Sequence, residues 1–199
     1  MNGPPRHEAR AGLALVTACA LWGVSFPIVK TLNAAARVAD PSIDGVFVAA
    51  LMVAIRFGIA AALLAAARPV LPSRGELLQG VVLGVVTGLG MFLQTDGLSY
   101  TEASTSAFLT QGYVVLLPIV SFATTRRVPS IRVVCCALLV LAGLAVLSRF
   151  DPRSLSLGRG ELETLAAAGC FTVQISLLDI PRFRDHRAGP VTTTMFFCI

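Results

Sequence analysis

The stretch VFVAALMVAIRFGIAAALLAAA, residues 46–67, decides the fold. It is entered after Asp44, and its only charge is Arg56. A helix needs about 20 mostly apolar residues to cross the hydrocarbon core of a bilayer. Strands are far shorter, and a helix of a soluble protein carries a polar face. Residues 46–67 carry none, so they read as a membrane-spanning helix.

The pattern recurs on both sides. Ala11–Val29 is uncharged and is followed by Lys30. Leu77–Thr95 follows Arg74 and Glu76, and Ala103–Thr125 is closed by Arg126 and Arg127. Val133–Ser148 is bracketed by Arg132 and Arg149, whose long stems can snorkel to the interface. Thr164–Leu178 is extended backward by Leu162 and stopped by Asp179 and Pro181. A last apolar start, Pro190–Ile199, is too short to cross. Val16-Thr17-Ala18-Cys19 looks like a lipoprotein cleavage box, but the apolar residues before it fall short of the ~7–15 of a signal core. The apolar run also continues past Cys19 to Val29, so it reads as a first span. The expected fold is all-α: a polytopic membrane helix bundle of about six transmembrane helices.

Composition agrees. Hydrophobic residues make up 55% of the chain and charged residues 14%, against roughly a quarter charged in a soluble domain. A soluble chain of this length has no way to cover so much apolar surface. The net charge of +5 comes mostly from Arg in small groups between apolar runs, not from a basic stripe, which argues against nucleic acid as a partner. The lipid bilayer is the expected partner. Cys19, Cys135, Cys136, Cys170 and Cys198 lie in apolar runs, with no CxxC pair and no His at metal spacing, so they read as small buried hydrophobes and no metal is expected. Breaks at Asp40-Pro41, Arg68-Pro69 with Pro72, Val128-Pro129 and Asp151-Pro152 keep the connections short, leaving no room for a soluble catalytic module. No phosphate loop, hydrolase elbow or HExxH appears, so neither an ATP-driven pump nor an enzyme is expected, and no cofactor.

Alternate connections set the orientation. One side carries Arg6, Arg10, Arg68, Arg74, Arg126, Arg127, Arg132, Arg182, Arg184 and Arg187, and the other carries Lys30, Arg37, Arg149, Arg153 and Arg159. The excess of positive charge marks the cytoplasmic side, which places the N-terminus inside. Residues 1–10 then form a cytoplasmic tail, and the expected location is the plasma (bacterial inner) membrane.

A weak repeat adds to this. Ala20-Leu21-Trp22-Gly23-Val24-Ser25 aligns with Gly169-Cys170-Phe171-Thr172-Val173-Gln174, five helices later. An odd number of helices per repeat inverts the second copy, as in many secondary transporters. Several stretches resemble the EamA-domain family of the drug/metabolite transporter superfamily. Leu21-Trp22-Gly23-Val24-Ser25-Phe26 resembles its first-helix signature, and Ile55-Arg56-Phe57 its second helix. Residues 96–109, DGLSYTEASTSAFL, are similar to its third-to-fourth helix turn and are the most specific part. Pro118 falls where the family often has proline. Gly160-Glu161-Leu162 resembles the start of a second unit. The resemblance implies a first five-helix unit at 11–149 and a truncated second unit at 150–199. It also implies a secondary carrier for small metabolites or drug-like solutes, with the substrate path between the two units. The chain departs from the family pattern at Thr124–Pro129, where a Gly-Glu is common. It also stops after its sixth helix where ten are typical, which leaves a homo-oligomer or a missing second half to complete the path. The competing readings are a non-transporting subunit or inactive fragment and, more remotely, a membrane-embedded enzyme.

Arg56 is the sharpest candidate. A mid-helix charge costs at least ~2.5–3.5 kcal/mol on the mildest scale, so it faces a cavity or a polar partner. Either it contacts an anion or substrate, or it is a structural group held by Gln94 or Gln111. Gln94, Gln111 and Gln174, on different helices, either glue helices together or line one cavity. Trp22 and Tyr113 offer apolar walls with one polar handle. With Ser25 these complete the expected substrate cavity. Gly80, Gly84 and Gly88, and Gly58, Ala62 and Ala66, predict close packing of the second and third helices. Asp96 and Glu102, flanking the outer turn, read either as groups that bind protons or cations or, as such residues more often are, as solvated charges and helix caps.

Overall fold

The computed structural model describes residues 6–67, 70–126, 128–147, 158–183 and 185–199, except for the side chains of 6–10, 125 and 147. Arg68-Pro69, Arg127, Arg149, Asp151-Pro152, Arg153, Arg184 and the side chains of Arg6 and Arg10 lie outside the described residues. Among those described, all regular structure is helical: α1 (Arg6–Ala39), α2 (Gly45–Ala67), α3 (Arg74–Gly97), α4 (Ala103–Thr110), α5 (Tyr113–Thr125), α6 (Ile131–Leu147), α7 (Arg159–Leu178) and α8 (Ala188–Cys198).

Four segments are long and apolar enough to cross a membrane: Ala11–Ala39, Gly45–Ala67, Arg74–Gly97 and Ala103–Thr124. The helix α6 has 17 residues, and α7 has 20 but opens with Arg159, Glu161 and Glu163. The polytopic helical bundle is therefore the fold, with four such segments among the described residues rather than about six. At 11 residues, α8 stays too short to cross.

Local chemistry sets the boundaries. The Ser73 hydroxyl accepts from the Glu76 amide, and the Glu76 carboxylate accepts from the Ser73 amide. This capping box, legible as S-x-x-E, starts α3. The fourth span breaks between α4 and α5. There the Gln111 and Gly112 amides donate to the carbonyls of Phe108 and Leu109, tightening the turn. A Cβ at Gly112 would stand 2.9 Å from the Leu109 carbonyl oxygen, so the turn needs glycine. By contrast α1 runs through Pro27 for 34 residues. At 1.5 Å per residue it is ~51 Å long, longer than the ~30 Å apolar core of a bilayer.

The centre of the molecule is α3, clasped by α7 and α8 and flanked by α2. Val53, Phe57, Met91, Ala167 and Phe171 form the core, with Phe196 packed edge-on to Phe57. The glycine stripe of α3 corrects an expectation. A Cβ on Gly80 would lie 2.5 Å from Thr194, and one on Gly84 2.6 Å from Cys198, while Gly58 has nothing within 4 Å. The stripe thus receives α8, not α2. Spacing marks a helix as able to be approached closely, but not by which neighbour.

The cysteines are corrected too. All five are free. Cys170 is half-buried, while Cys19, Cys135, Cys136 and Cys198 lie on the outside of the bundle. They share that surface with Leu13, Leu21, Leu138 and Leu139, an apolar exterior that suits lipid and not water.

Candidate functional site

Arg56 lies halfway along α2, half-buried. Its guanidinium carbon stands 5.4 Å from the Trp22 ring centre on α1 and 5.5 Å from that of Phe57. Cation–π contacts of this kind are worth about 0.5–2 kcal/mol. Among the described residues, no carboxylate pairs with it. Ser25, Met91, Gln94 and Thr95 share its cleft, whose volume of about 10 Å³ leaves room for roughly one water. Gln94 is buried and donates to the Thr110 hydroxyl at 2.8 Å, tying α3 to α4. Ser25 donates to the Trp22 carbonyl at 2.6 Å.

Trp22, Ser25, Arg56 and Gln94 therefore meet between α1, α2 and α3. The other three expected residues do not join them. Gln111 caps α4 at the break. Tyr113 opens α5 near Cys19. Gln174 is half-buried on α7. Gln94 is close to Arg56 as expected, but the rings of Trp22 and Phe57, not an amide, flank the guanidinium.

A second cluster, at the C-terminal end of α3, was misread from the sequence. Asp96 is not a solvated charge: its side chain is 2% exposed and pairs with Arg159 of α7. Arg159 also bonds Glu163 at 2.7 Å, and its guanidinium lies 4.4 Å from the Tyr100 ring centre. Arg37 of α1 covers the same ring at 5.4 Å. Lys30 pairs with the exposed Glu102 at 3.2 Å and donates to the Thr101 carbonyl, while Asn33 donates to the Ser99 hydroxyl. The Thr101 hydroxyl donates to Glu161 at 2.6 Å. Gly97 and Gly160 touch so closely that a Cβ on either would stand within 3 Å of the other's carbonyl oxygen. The turn after α3 is thus a hub that α1 and α7 both grip. One signal for it was present. Asp96 sits in the last turn of its helix, where the macrodipole disfavours an acid, so a cation had to cover it.

At the N-terminal end of α3, Arg187 grips Glu76 through Nε at 2.7 Å and Nη2 at 2.8 Å, and its amide adds a third bond. His186 Nδ1 meets Gln79 Oε1 at 2.7 Å. These bonds fasten the start of α8 to the start of α3.

Residues 9–149 match the EamA-like transporter family. The chain belongs to that family. It is also 31% identical over 177 residues to a protein of Archaeoglobus fulgidus described as an uncharacterized transporter. That match takes in 89% of this chain and 51% of the relative, so the chain spans about half the relative's length. No solved structure matches. The family match covers α1 to α6, including the Arg56 cleft and the Asp96–Glu102 turn, whereas α7 and α8 lie beyond it. The chain is a multi-pass membrane protein of a transporter family.

Proposed function

We propose that this EamA-family chain works in the plasma membrane as a secondary carrier, or as part of one, for small organic solutes. Its Arg56 cleft is one wall of the solute path. The observation that carries this reading is the guanidinium itself: a charge midway along an apolar helix between two aromatic rings, with no carboxylate paired to it among the described residues. Such a group suits an anionic solute whose apolar part lies along Trp22. A drug-sized solute needs about 300–1,000 Å³, and the cleft at about 10 Å³ is closed to it. Transport therefore requires α1 to separate from α2 and α3, or further helices to complete the chamber. The cleft's size also favours a second reading, a non-transporting subunit.

Trp22 is the single tryptophan and reports on the cleft. Titrating the detergent-purified chain with aromatic carboxylates should change Trp22 emission in a saturable way, and Arg56→Ala should abolish the change. Equal responses to aromatic carboxylates and amines, or a response that survives Arg56→Ala, would sink the assignment of Arg56.

A further inference from the structure

We propose that Asp96 and Glu163 form a proton-binding site at the outer end of the bundle, where two carboxyls clamped by one guanidinium share a single proton. Arg159 takes one oxygen from each carboxyl, Asp96 Oδ2 and Glu163 Oε1. The remaining oxygens, Asp96 Oδ1 and Glu163 Oε2, are both buried and have no hydrogen-bond partner among the described residues. One guanidinium thus holds both carboxyls side by side. A buried acceptor without a donor is costly. One proton removes both defects, because the protonated carboxyl donates to the ionised one.

Charge points the same way. Two carboxylates against one guanidinium leave an excess negative charge in a buried place, and a bound proton cancels it. Among the described residues, no cation besides Arg159 pairs with either carboxyl. On α7, Glu161 is another acid and accepts from Thr101. From the turn after α3, Tyr100 presents a neutral ring to Arg159, and Glu102 is paired with Lys30 of α1. Arg37 of α1 lies on the Tyr100 ring. A metal ion fits poorly. Ca²⁺ takes 6–8 oxygens, and only two are left free here.

The site joins α3, inside the family match, to α7, beyond it. Losing the proton leaves two adjacent carboxylates that repel, which loosens the start of α7 from α3 where Gly97 meets Gly160. Calling this proton a coupling ion rests on the transport reading, whereas the site itself stands on its geometry.

Infrared titration of the purified 199-residue chain tests it without any transport measurement. The wild type should show, at neutral pH, a carboxylic C=O band that shifts in D₂O and disappears at alkaline pH. Glu163→Gln and Asp96→Asn should each lose that band, and Glu102→Gln should keep it. Circular dichroism identifies which variants fold, and Glu163→Gln, at the less buried position, decides alone if Asp96→Asn does not. A wild type without the band at neutral pH, or a folded Glu163→Gln that retains it, overturns the proposal.

Discussion

Arg56 is a residue that stability alone does not explain. A charge at membrane depth costs at least ~2.5–3.5 kcal/mol, and ring contacts return about 0.5–2 kcal/mol. Arg56→Leu should therefore insert normally and melt no earlier than the wild type, while losing the response of Trp22 to carboxylates. A lower melting temperature would make Arg56 a structural group instead. Gln94 should behave oppositely. Its bond to Thr110 is part of the packing, so Gln94→Leu should cost about 0.5–1.5 kcal/mol, read as an earlier thermal midpoint. Arg56 was legible because a lone charge inside an apolar run is conspicuous. For Asp96 the last turn of α3 called for a cation without saying which, because its partner Arg159 is 63 positions away and no local pattern joins them.

At the scale of the element, the same limit holds for α3. Its start was written in Ser73 and Glu76, and its closeness to a neighbour in Gly80, Gly84 and Gly88. The identity of that neighbour depends on how the chain returns. The inner bonds of Glu76 with Arg187 and of Gln79 with His186 make it α8. Gly84→Val should destabilise the bundle by about 1–3 kcal/mol through overpacking against Met195 and Cys198. Gly58→Ala, in open space, should be neutral or stabilise by about 0.5–1 kcal/mol, because alanine is the better helix former. Equal effects of the two on the unfolding midpoint would mean that α8 does not fill the stripe. Arg187→Ala should release α8, seen as faster proteolysis after Phe183. The break between α4 and α5 was missed because the apolar run continues through Gln111 and Gly112, and hydropathy does not register a tightened turn.

For the whole molecule, membrane class and helical fold were legible from apolar runs and loop charge, because a bilayer imposes both on the chain itself. The outer hub was not, because it forms where helices distant in sequence meet, and of the seven residues expected to line one cavity only Trp22, Ser25, Arg56 and Gln94 come together. The orientation makes its own prediction: a reporter fused to the N-terminus should be active on the cytoplasmic side, and one inserted after Asp40 on the outer side. The central claim is that this EamA-family chain carries organic anions past Arg56, and solute flux into proteoliposomes tests it most directly. With an aromatic carboxylate as probe, the reconstituted wild type should give saturable uptake, and correctly inserted Arg56→Ala should lose most of it. Wild-type uptake that Arg56→Ala leaves unchanged, or no uptake beyond empty liposomes, would contradict the account.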